Sequence, residues 1–466
     1  MDIKFGTDGW RGIIARDFTF ANLSRVAEAV ACYLEQQQAK DKPVVVGHDT
    51  RFLSEEFAAT VAERFTAKGI RVLMVANPCP TPAVAAAVLD QQASGAVMLT
   101  ASHNPHYYHG FKFIPWYAGP ALPEVTDEIT RLLPDEPGDV SPQPGLVADF
   151  DPRPGYMARL EQIIDLERIA SSGIRLAVNP MHGAGAGYIE QALDKQGIPY
   201  TAQCANRDPF FGGKMPEPKP QLLQDLSELV SQGGFDLGLA LDGDGDRFGI
   251  IDKEVGYILP NQFLCLLAEY LITEKEIKGP LARTVSTTTM LDRIARAHGL
   301  EVIETPVGFK YQAQALMEKG AILAGEESGG LSIKGHIPEK DGILACLLAA
   351  EMAACRPLAR RLEQLTANYG AVFTNRLDLH CQPGQKEDIL SKLDTWRPRQ
   401  LAGTEITDII TMDGWKYQLA DDSWVLVRPS GTEPLFRIYA EAGTAERVSQ
   451  LQQHVAGQLG MDNTTE

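Results

Sequence analysis

One pattern recurs three times along this chain, and it constrains the fold more than any single residue. Each copy opens with a strand running into a polar turn: VVVGHDTR from Val44, IRLAVNPMHGAG from Ile174, and TVSTTTMLDR from Thr284. A helix-like stretch follows. A second apolar strand comes next: IRVLMVANP from Ile70, IPYTAQCANRD from Ile198, and LEVIETPVGF from Leu300. A third strand then ends in a polar, glycine-containing loop: TASHNP after GAVML, DGDGDR after DLGLAL, and GEESGG after AILA. Short apolar strands alternating with helices predict mixed, mostly parallel sheets flanked by helices, an α/β class. Such sheets bind ligands beyond the carboxyl ends of their strands. Three similar domains can therefore aim three polar loops into one central cleft.

Boundaries fall where Pro and Gly concentrate. PDEPGDVSPQPG, from Pro134 to Gly145, closes a first domain at 1–145, and a second is expected at 146–255 and a third at 256–368. Beyond Tyr369 the pattern changes. AVFTNRLDLH and WVLVRPSGTEPLFRIYAEA alternate like antiparallel strands around the helical QKEDILSKLDTW, predicting a smaller α+β domain at 369–466. With 466 residues, four domains of this size are ordinary.

Charge and cysteines narrow the partners. A net charge of -18 repels nucleic acid and anionic membranes, so neither is an expected partner. An anionic substrate would need local arginines and lysines. Seven scattered cysteines without CxxC spacing fit reduced thiols in a cytoplasmic setting. MDIKFGTDGW lacks the pattern of a signal peptide, and no apolar run reaches the ~18 residues of a membrane span. FLCLLAEYLI from Phe263 reads as a buried helix.

Four loops could carry chemistry. In LTASHNPHYYHGFKF, Ser102 lies at a strand end, where a serine nucleophile would be exposed, and Lys112 could supply charge. Taken alone, a turn-capping serine is the simpler reading. His103, His106 and His109 are spaced by three, but Pro105 interrupts any helix and disfavours a zinc site. In LALDGDGDRFG, Asp242, Asp244 and Asp246 alternate with glycines after an apolar strand. Carboxylates this close repel unless a cation sits among them, and an oxygen-only set favours Mg²⁺. An EF-hand would need Glu at the twelfth loop position, which is Lys253.

In GEESGG, Glu326 and Ser328 offer an acceptor and a donor suited to sugar hydroxyls, or simply form a surface turn. In VRPSGTEPLFRIY, Arg428, Ser430, Gly431, Thr432 and Arg437 have the inventory of a phosphate cradle, with a hairpin bearing strand-end arginines as the plain alternative. FGTDGWRG presents Arg11 on a tight loop. TPVGFKY places Gly308, Phe309 and Lys310 at a sugar-contacting turn or a strand exit.

FGTDGWRG, TASHNP, DGDGDR, GEESGG and RPSGTEP, in that order from Phe5 to Tyr439, resemble the α-D-phosphohexomutase family, which includes phosphoglucomutases and phosphomannomutases. The resemblance implies four domains around a central cleft and a small-molecule phosphosugar substrate. It implies that Ser102 is a phosphoserine and binds Mg²⁺ with Asp242, Asp244 and Asp246. Arg11, His103, Lys112 and Arg247 would line the transfer site. Glu326 and Ser328 would contact sugar hydroxyls, and Arg428, Ser430, Gly431, Thr432 and Arg437 would hold the non-reacting phosphate. A hexose 1,6-bisphosphate would be both intermediate and activator, and the enzyme a monomer or homodimer.

Three departures matter. Many family members carry histidine two residues after the sugar-loop serine; here that position is Gly330. Lys340 in HIPEKDG resembles the lysine of phosphoglucomutases instead and is expected in general acid/base work, aided by His336. The family often has Pro and Asn at 106 and 109, where this chain has histidines. TPVGFK looks more like a glucose-preferring loop than a mannose or glucosamine one. Glucose 1-phosphate to glucose 6-phosphate interconversion is the expected activity. A glucose-1,6-bisphosphate synthase, a phosphomannomutase and a non-catalytic phosphosugar sensor are the alternatives.

Overall fold

A computed structural model describes residues 3–6, 9–382, 384–430 and 435–461. The threefold pattern of the sequence is a threefold topology. In the first sheet, Val44–His48 lies parallel to both Val72–Val75 and Gly95–Leu99, and Tyr108–Pro115 returns antiparallel beside Gly95–Leu99. In the second, Leu176–Asn179 stands between Tyr200–Ala202 and Leu237–Leu241, with Phe248–Asp252 returning. In the third, Leu281–Thr284 stands between Val302–Thr305 and Leu323–Gly325, with Leu331–Ile333 returning. TASHNP, DGDGDR and GEESGG are thus the same turn, the hairpin that reverses the third strand of each copy. A parallel pair cannot be closed by a tight turn, but this antiparallel return can, so each loop is short and held at both ends.

The central strands of the first two sheets are buried along their whole length, as expected of runs that are apolar but for His48 and Asn179 at their ends and covered on both faces. One hydrophobic core runs continuously through the first three domains. Its spine is Gly342–Cys355, an apolar helix of the third domain packed on the second domain's sheet. The fourth domain has its own core and a six-stranded antiparallel sheet, in the order Phe373–His380, Leu435–Ala442, Trp424–Pro429, Trp415–Leu419, Thr404–Ile410, Gln400–Leu401.

Three boundaries differ from the expected ones. Val147–Phe150 pairs with Val72–Val75, so the first sheet extends past residue 145. The Pro/Gly-rich stretch is a surface connector leading to an edge strand. Gly256–Ile258 likewise belongs to the second sheet. In the third copy the opening strand is Leu281–Thr284, ending where TVSTTT begins. Its apolar pattern is hidden by Arg283, which is buried because Asp292 and Glu304 pair with it at 2.6 Å each. Among the described residues, no single helix is long and apolar enough to cross a membrane; Gly342–Cys355 and Leu358–Tyr369 meet at an 84° bend. Among the described residues no disulfide is formed.

Candidate active site

The metal-type loop sits where three domains meet. Asp242, Asp244 and Asp246 are fully buried, and a carboxylate oxygen from each lies within 4.8 Å of the others. Two helix N-termini face the loop. Thr81 N, opening the helix Thr81–Asp90 of the first domain, donates to the Asp244 carbonyl at 2.9 Å. Gly342 N, opening the third domain's spine helix, donates to the Gly245 carbonyl at 3.1 Å. Their partial positive charge helps offset the acidic cluster.

Ser102 enters this cluster from the first domain. Its Oγ donates to Asp242 Oδ2 at 2.9 Å and lies 3.3 Å from His103 Nδ1. Its backbone is left-handed, with φ 50°, a state that costs a non-glycine residue about 1–3 kcal/mol and must be enforced by its surroundings. Gly243 permits the approach: a β-carbon there would lie 2.6 Å from the Ser102 carbonyl oxygen.

Cations close the ring. Lys112 Nζ donates to Asp244 Oδ2 at 3.0 Å and to Asp246 Oδ2 at 2.9 Å. Lys340 reaches Asp246 Oδ2 at 2.9 Å from the third domain. Arg247 N donates to Asp242 Oδ1 at 3.0 Å. Arg11 Nη1 donates to Asn104 Oδ1 at 2.6 Å, at the outer edge of the Ser102 turn. Burial, then Asp244 and Asp246, push the Asp242 carboxyl well above the usual range. Burial pushes Asp244 up too, but Lys112, the Thr81 hydroxyl at 2.6 Å and Lys340 outweigh it and hold Asp244 below that range. Burial, then Arg247 and Arg11, keep His103 neutral.

The site fits a hard divalent cation. Among the described residues, buried Oδ1 of Asp244 and Oδ1 of Asp246 find no hydrogen-bond partner, a costly state for a carboxylate oxygen unless a cation takes it up. The donors are all oxygens, which is the preference of Mg²⁺.

The sugar-type loop is organised around Glu326. Its Oε1 accepts from Gly308 N at 3.0 Å, which joins GEESGG to TPVGFK. Burial, then the neighbouring Glu327, push its carboxyl up to about 7. Ser328 and Lys310 are half-buried at the same rim, and Lys310 faces Asp127 and Glu124 of the first domain. Phe309 departs from the expected substrate contact. It opens the helix Phe309–Glu318 and is 4% exposed, so its ring packs the turn. His336 departs further. Its side chain is fully enclosed, with Nε2 2.7 Å from Asp341 Oδ2, while Tyr156 OH donates to both Asp341 oxygens. It belongs to a joint between the second and third domains, because the turn HIPEKDG folds back before the spine helix begins.

In the fourth domain Arg428 and Arg437 are register partners on adjacent strands, so both guanidinium groups rise from one face. Ser430 N donates to the Leu435 carbonyl at 2.9 Å. Gly431 and Thr432 lie outside the described residues. Asp413 Oδ2 accepts from Arg428 Nη2 and from Val307 N, both at 2.8 Å, so one carboxylate ties the Arg428 strand to the TPVGFK turn.

Several residues of this site escape sequence reasoning: Arg51 and Asp49 behind the Ser102 turn, Thr81 on Asp244, Asn104 on Arg11, and Asp413. Arg376 is another, bound to Asp378 at 2.7 and 2.6 Å beside Arg437. The polar DTR ending of VVVGHDTR was a usable signal, since a charged turn at a strand's carboxyl end is where such sheets place ligands.

Known proteins match this architecture from end to end. The phosphoglucomutase/phosphomannomutase alpha/beta/alpha domains I, II and III match residues 2–137, 154–256 and 259–369, and the C-terminal domain matches 400–458. A phosphoglucomutase of Komagataeibacter xylinus is 30% identical, over 94% of this chain and 87% of its own. A Methanopyrus kandleri protein described as a probable phosphoglucosamine mutase is 32% identical, over 97% and 96%. The crystal structure of a Thermus thermophilus protein described as a "putative phosphomannomutase" superposes with a TM-score of 0.88 at 34% identity, covering 99% of both chains. With all four domain families matched in order, the chain belongs to the phosphoglucomutase/phosphomannomutase family and is a phosphomutase, an isomerase acting on small phosphosugars.

Proposed function

We propose that the chain interconverts glucose 1-phosphate and glucose 6-phosphate through a phosphoserine at Ser102 and a glucose 1,6-bisphosphate intermediate. The observation that carries this reading is the Ser102–Asp242 hydrogen bond of 2.9 Å inside the buried ring of Asp244, Asp246, Lys112 and Lys340. A serine that only capped a turn would have no reason to enter a buried acidic cluster between domains.

The chemistry follows from these residues. A sugar hydroxyl attacks the phosphorus of phosphoserine, the bond to Ser102 Oγ breaks, and the hydroxyl proton passes to a nearby base. The bisphosphate reorients, Ser102 Oγ attacks the phosphorus of its other phosphate, the bond from that phosphorus to the sugar oxygen breaks, and the base returns the proton to that oxygen. Such transfers proceed through loose transition states that depend on positioning and charge. Asp242, Asp244, Asp246 and the Ser102 phosphate would hold Mg²⁺, which supplies positive charge to the phosphoryl oxygens. Lys112, Arg11 and Arg247 flank the group being transferred, and Lys340, beside Asp246, is placed for acid/base work. Glu326 and Ser328 take the sugar hydroxyls, and Arg428, Arg437 and the Ser430 turn take the distal phosphate. Glucose is favoured over mannose and glucosamine because Gly330 and Lys340 occur together, the combination that resembles phosphoglucomutases.

A coupled assay of glucose 1-phosphate conversion, with mannose 1-phosphate and glucosamine 1-phosphate in parallel, tests the reading. Glucose phosphate should give the highest kcat/KM. A higher value for glucosamine 1-phosphate would replace the glucose assignment.

A further inference from the structure

Behind the nucleophile turn lies a buried arginine with no slack. Arg51 Nε donates to Asp49 Oδ2 at 3.0 Å. Nη1 donates to the carbonyls of Pro105 at 2.8 Å and Tyr108 at 3.1 Å, and Nη2 to those of Ser102 at 2.6 Å and Asn104 at 2.7 Å. Every N–H of the guanidinium is therefore used, and four of them grip one turn. Its side chain has no solvent exposure.

Asp49 organises the other side of the same turn. It accepts from Thr100 Oγ1 at 2.7 Å, and Thr100 Oγ1 accepts from Ser102 N at 2.8 Å. Ser54 Oγ and Arg51 N donate to its second oxygen at 3.1 and 3.0 Å. Ser102 is thus held from both sides, its N–H by Thr100 and its carbonyl by Arg51, with both anchors returning to Asp49. These two holds fix a backbone whose φ of 50° a serine would otherwise leave. On leaving it, Oγ would turn away from Asp242.

The second domain supplies the cover. The Phe211 ring lies 4.9 Å from the Arg51 guanidinium carbon and is 3% exposed. Its arm is fastened to the first domain by the Arg207–Glu55 ion pair at 2.5 Å and by the contact of Phe210 with His106, ring centroids 5.2 Å apart. His106, one of the unusual residues of this nucleophile turn, therefore serves the joint between domains.

We propose that Arg51 is a positioning residue for phosphoryl transfer: its fork holds four carbonyls of the 102–108 turn, keeps Ser102 left-handed and aims Oγ into the acidic cluster, with Phe211 as its cover from the second domain. The proposal rests on Ser102 being the phosphoryl carrier. Lysine cannot replace this arginine, because an ammonium lacks the planar five-donor fork.

The test combines steady-state kinetics with ³²P labelling of Ser102 by glucose 1,6-bisphosphate, using the full chain. Arg51→Lys should lower kcat about 100-fold, the loss expected when a reacting group shifts by about an ångström. KM should stay within about threefold, because the sugar and phosphate contacts are untouched. Labelling of Ser102 should slow in proportion to kcat. Thr100→Val, which removes the other hold, should show the same split and decides the matter should Arg51→Lys fail to give a cooperative melt. Wild-type kcat and labelling in folded Arg51→Lys or in Thr100→Val would overturn the proposal, and so would a loss carried by KM alone. Turnover retained in Ser102→Ala would instead remove the phosphoserine reading, which separates the two failures.

Discussion

A β-carbon on Gly330 would lie 2.5 Å from Cδ and 2.8 Å from Cγ of Lys340. The lysine stem fills the space beside the sugar loop that a side chain at 330 would claim, and its ammonium reaches Asp246 at 2.9 Å. Glycine and lysine are therefore one arrangement seen from two sides. Gly330 does not have a left-handed φ, so space alone excludes a larger residue.

This pairing predicts that Gly330→Ala displaces Lys340 and lowers kcat by roughly tenfold or more, within the range for disturbing a general acid/base group. Lys340→Ala should cost more. Adding Gly330→His to Lys340→Ala should recover part of the loss and move the pH optimum toward histidine's range. Stopped-time assays across pH 5–10 read both effects.

Glu326 gives a pH signature. Its folded-state pKa is raised to about 7 from 4.5, chiefly by burial. Below about 7 it holds a proton and is a poorer acceptor for sugar hydroxyls. The ratio of wild-type to Glu326→Gln kcat/KM should therefore rise as pH increases through 7, while the substrate's own titration cancels. Stability moves oppositely: the folded chain binds more protons than the unfolded one between pH 4.5 and 7, so Glu326 costs stability as pH rises through that window. Glu326→Gln should flatten this trend in melts from pH 5 to 8.

Thr81 predicts a metal effect without being a ligand. Its hydroxyl donates to Asp244 Oδ2 at 2.6 Å. Thr81→Val should weaken Mg²⁺ binding by about 10-fold or more, the usual cost of losing a partner of a metal ligand. Direct Mg²⁺ titration of the full chain by calorimetry checks this, and Asp244→Asn should abolish the binding signal while the fold persists.

The seam between the third and fourth domains holds a wholly enclosed lysine. Lys416 pairs with Glu304 at 3.0 Å, and Arg283 shares that carboxylate at 2.6 Å. Glu304→Gln leaves two buried cations undercompensated and should cost about 3 kcal/mol, the scale of breaking a buried pair. Calorimetry should show an earlier transition assigned to the fourth domain.

How much of this was legible in the chain follows from distance and redundancy. The repeated strand–loop pattern announced three equivalent hairpins, because apolar runs and glycine-bounded turns are local signals. The aspartate cluster was legible because like charges gathered after an apolar strand carry their own logic, whereas Ser102, alone more simply a turn residue, drew its reading from the order of the five motifs. The DTR ending marked Arg51 only as a polar strand end; its hold on the turn was not legible, since four of its five acceptors are backbone carbonyls more than fifty residues away, and carbonyls leave no trace in residue identity. Asp413 was hidden for the same reason: one of its donors is the Val307 backbone. His336 misled because adjacency to Lys340 in sequence suggested a shared task, whereas the turn sends its ring toward Tyr156 and Asp341. Val147–Phe150 and Leu281–Thr284 blurred the boundaries because an exposed edge strand and a strand bearing a paired arginine both dilute the apolar pattern.

The proposed reaction turns on Ser102 as the carrier of the phosphoryl group. The decisive measurement incubates the purified chain with ³²P-labelled glucose 1,6-bisphosphate, maps the label by peptide mass spectrometry, and chases it with unlabelled glucose 1-phosphate. Label is expected on Ser102 alone, passing into bisphosphate and then glucose 6-phosphate during the chase, with neither label nor turnover in Ser102→Ala. Label on another residue, or glucose 6-phosphate formed at the wild-type rate by Ser102→Ala, would contradict it.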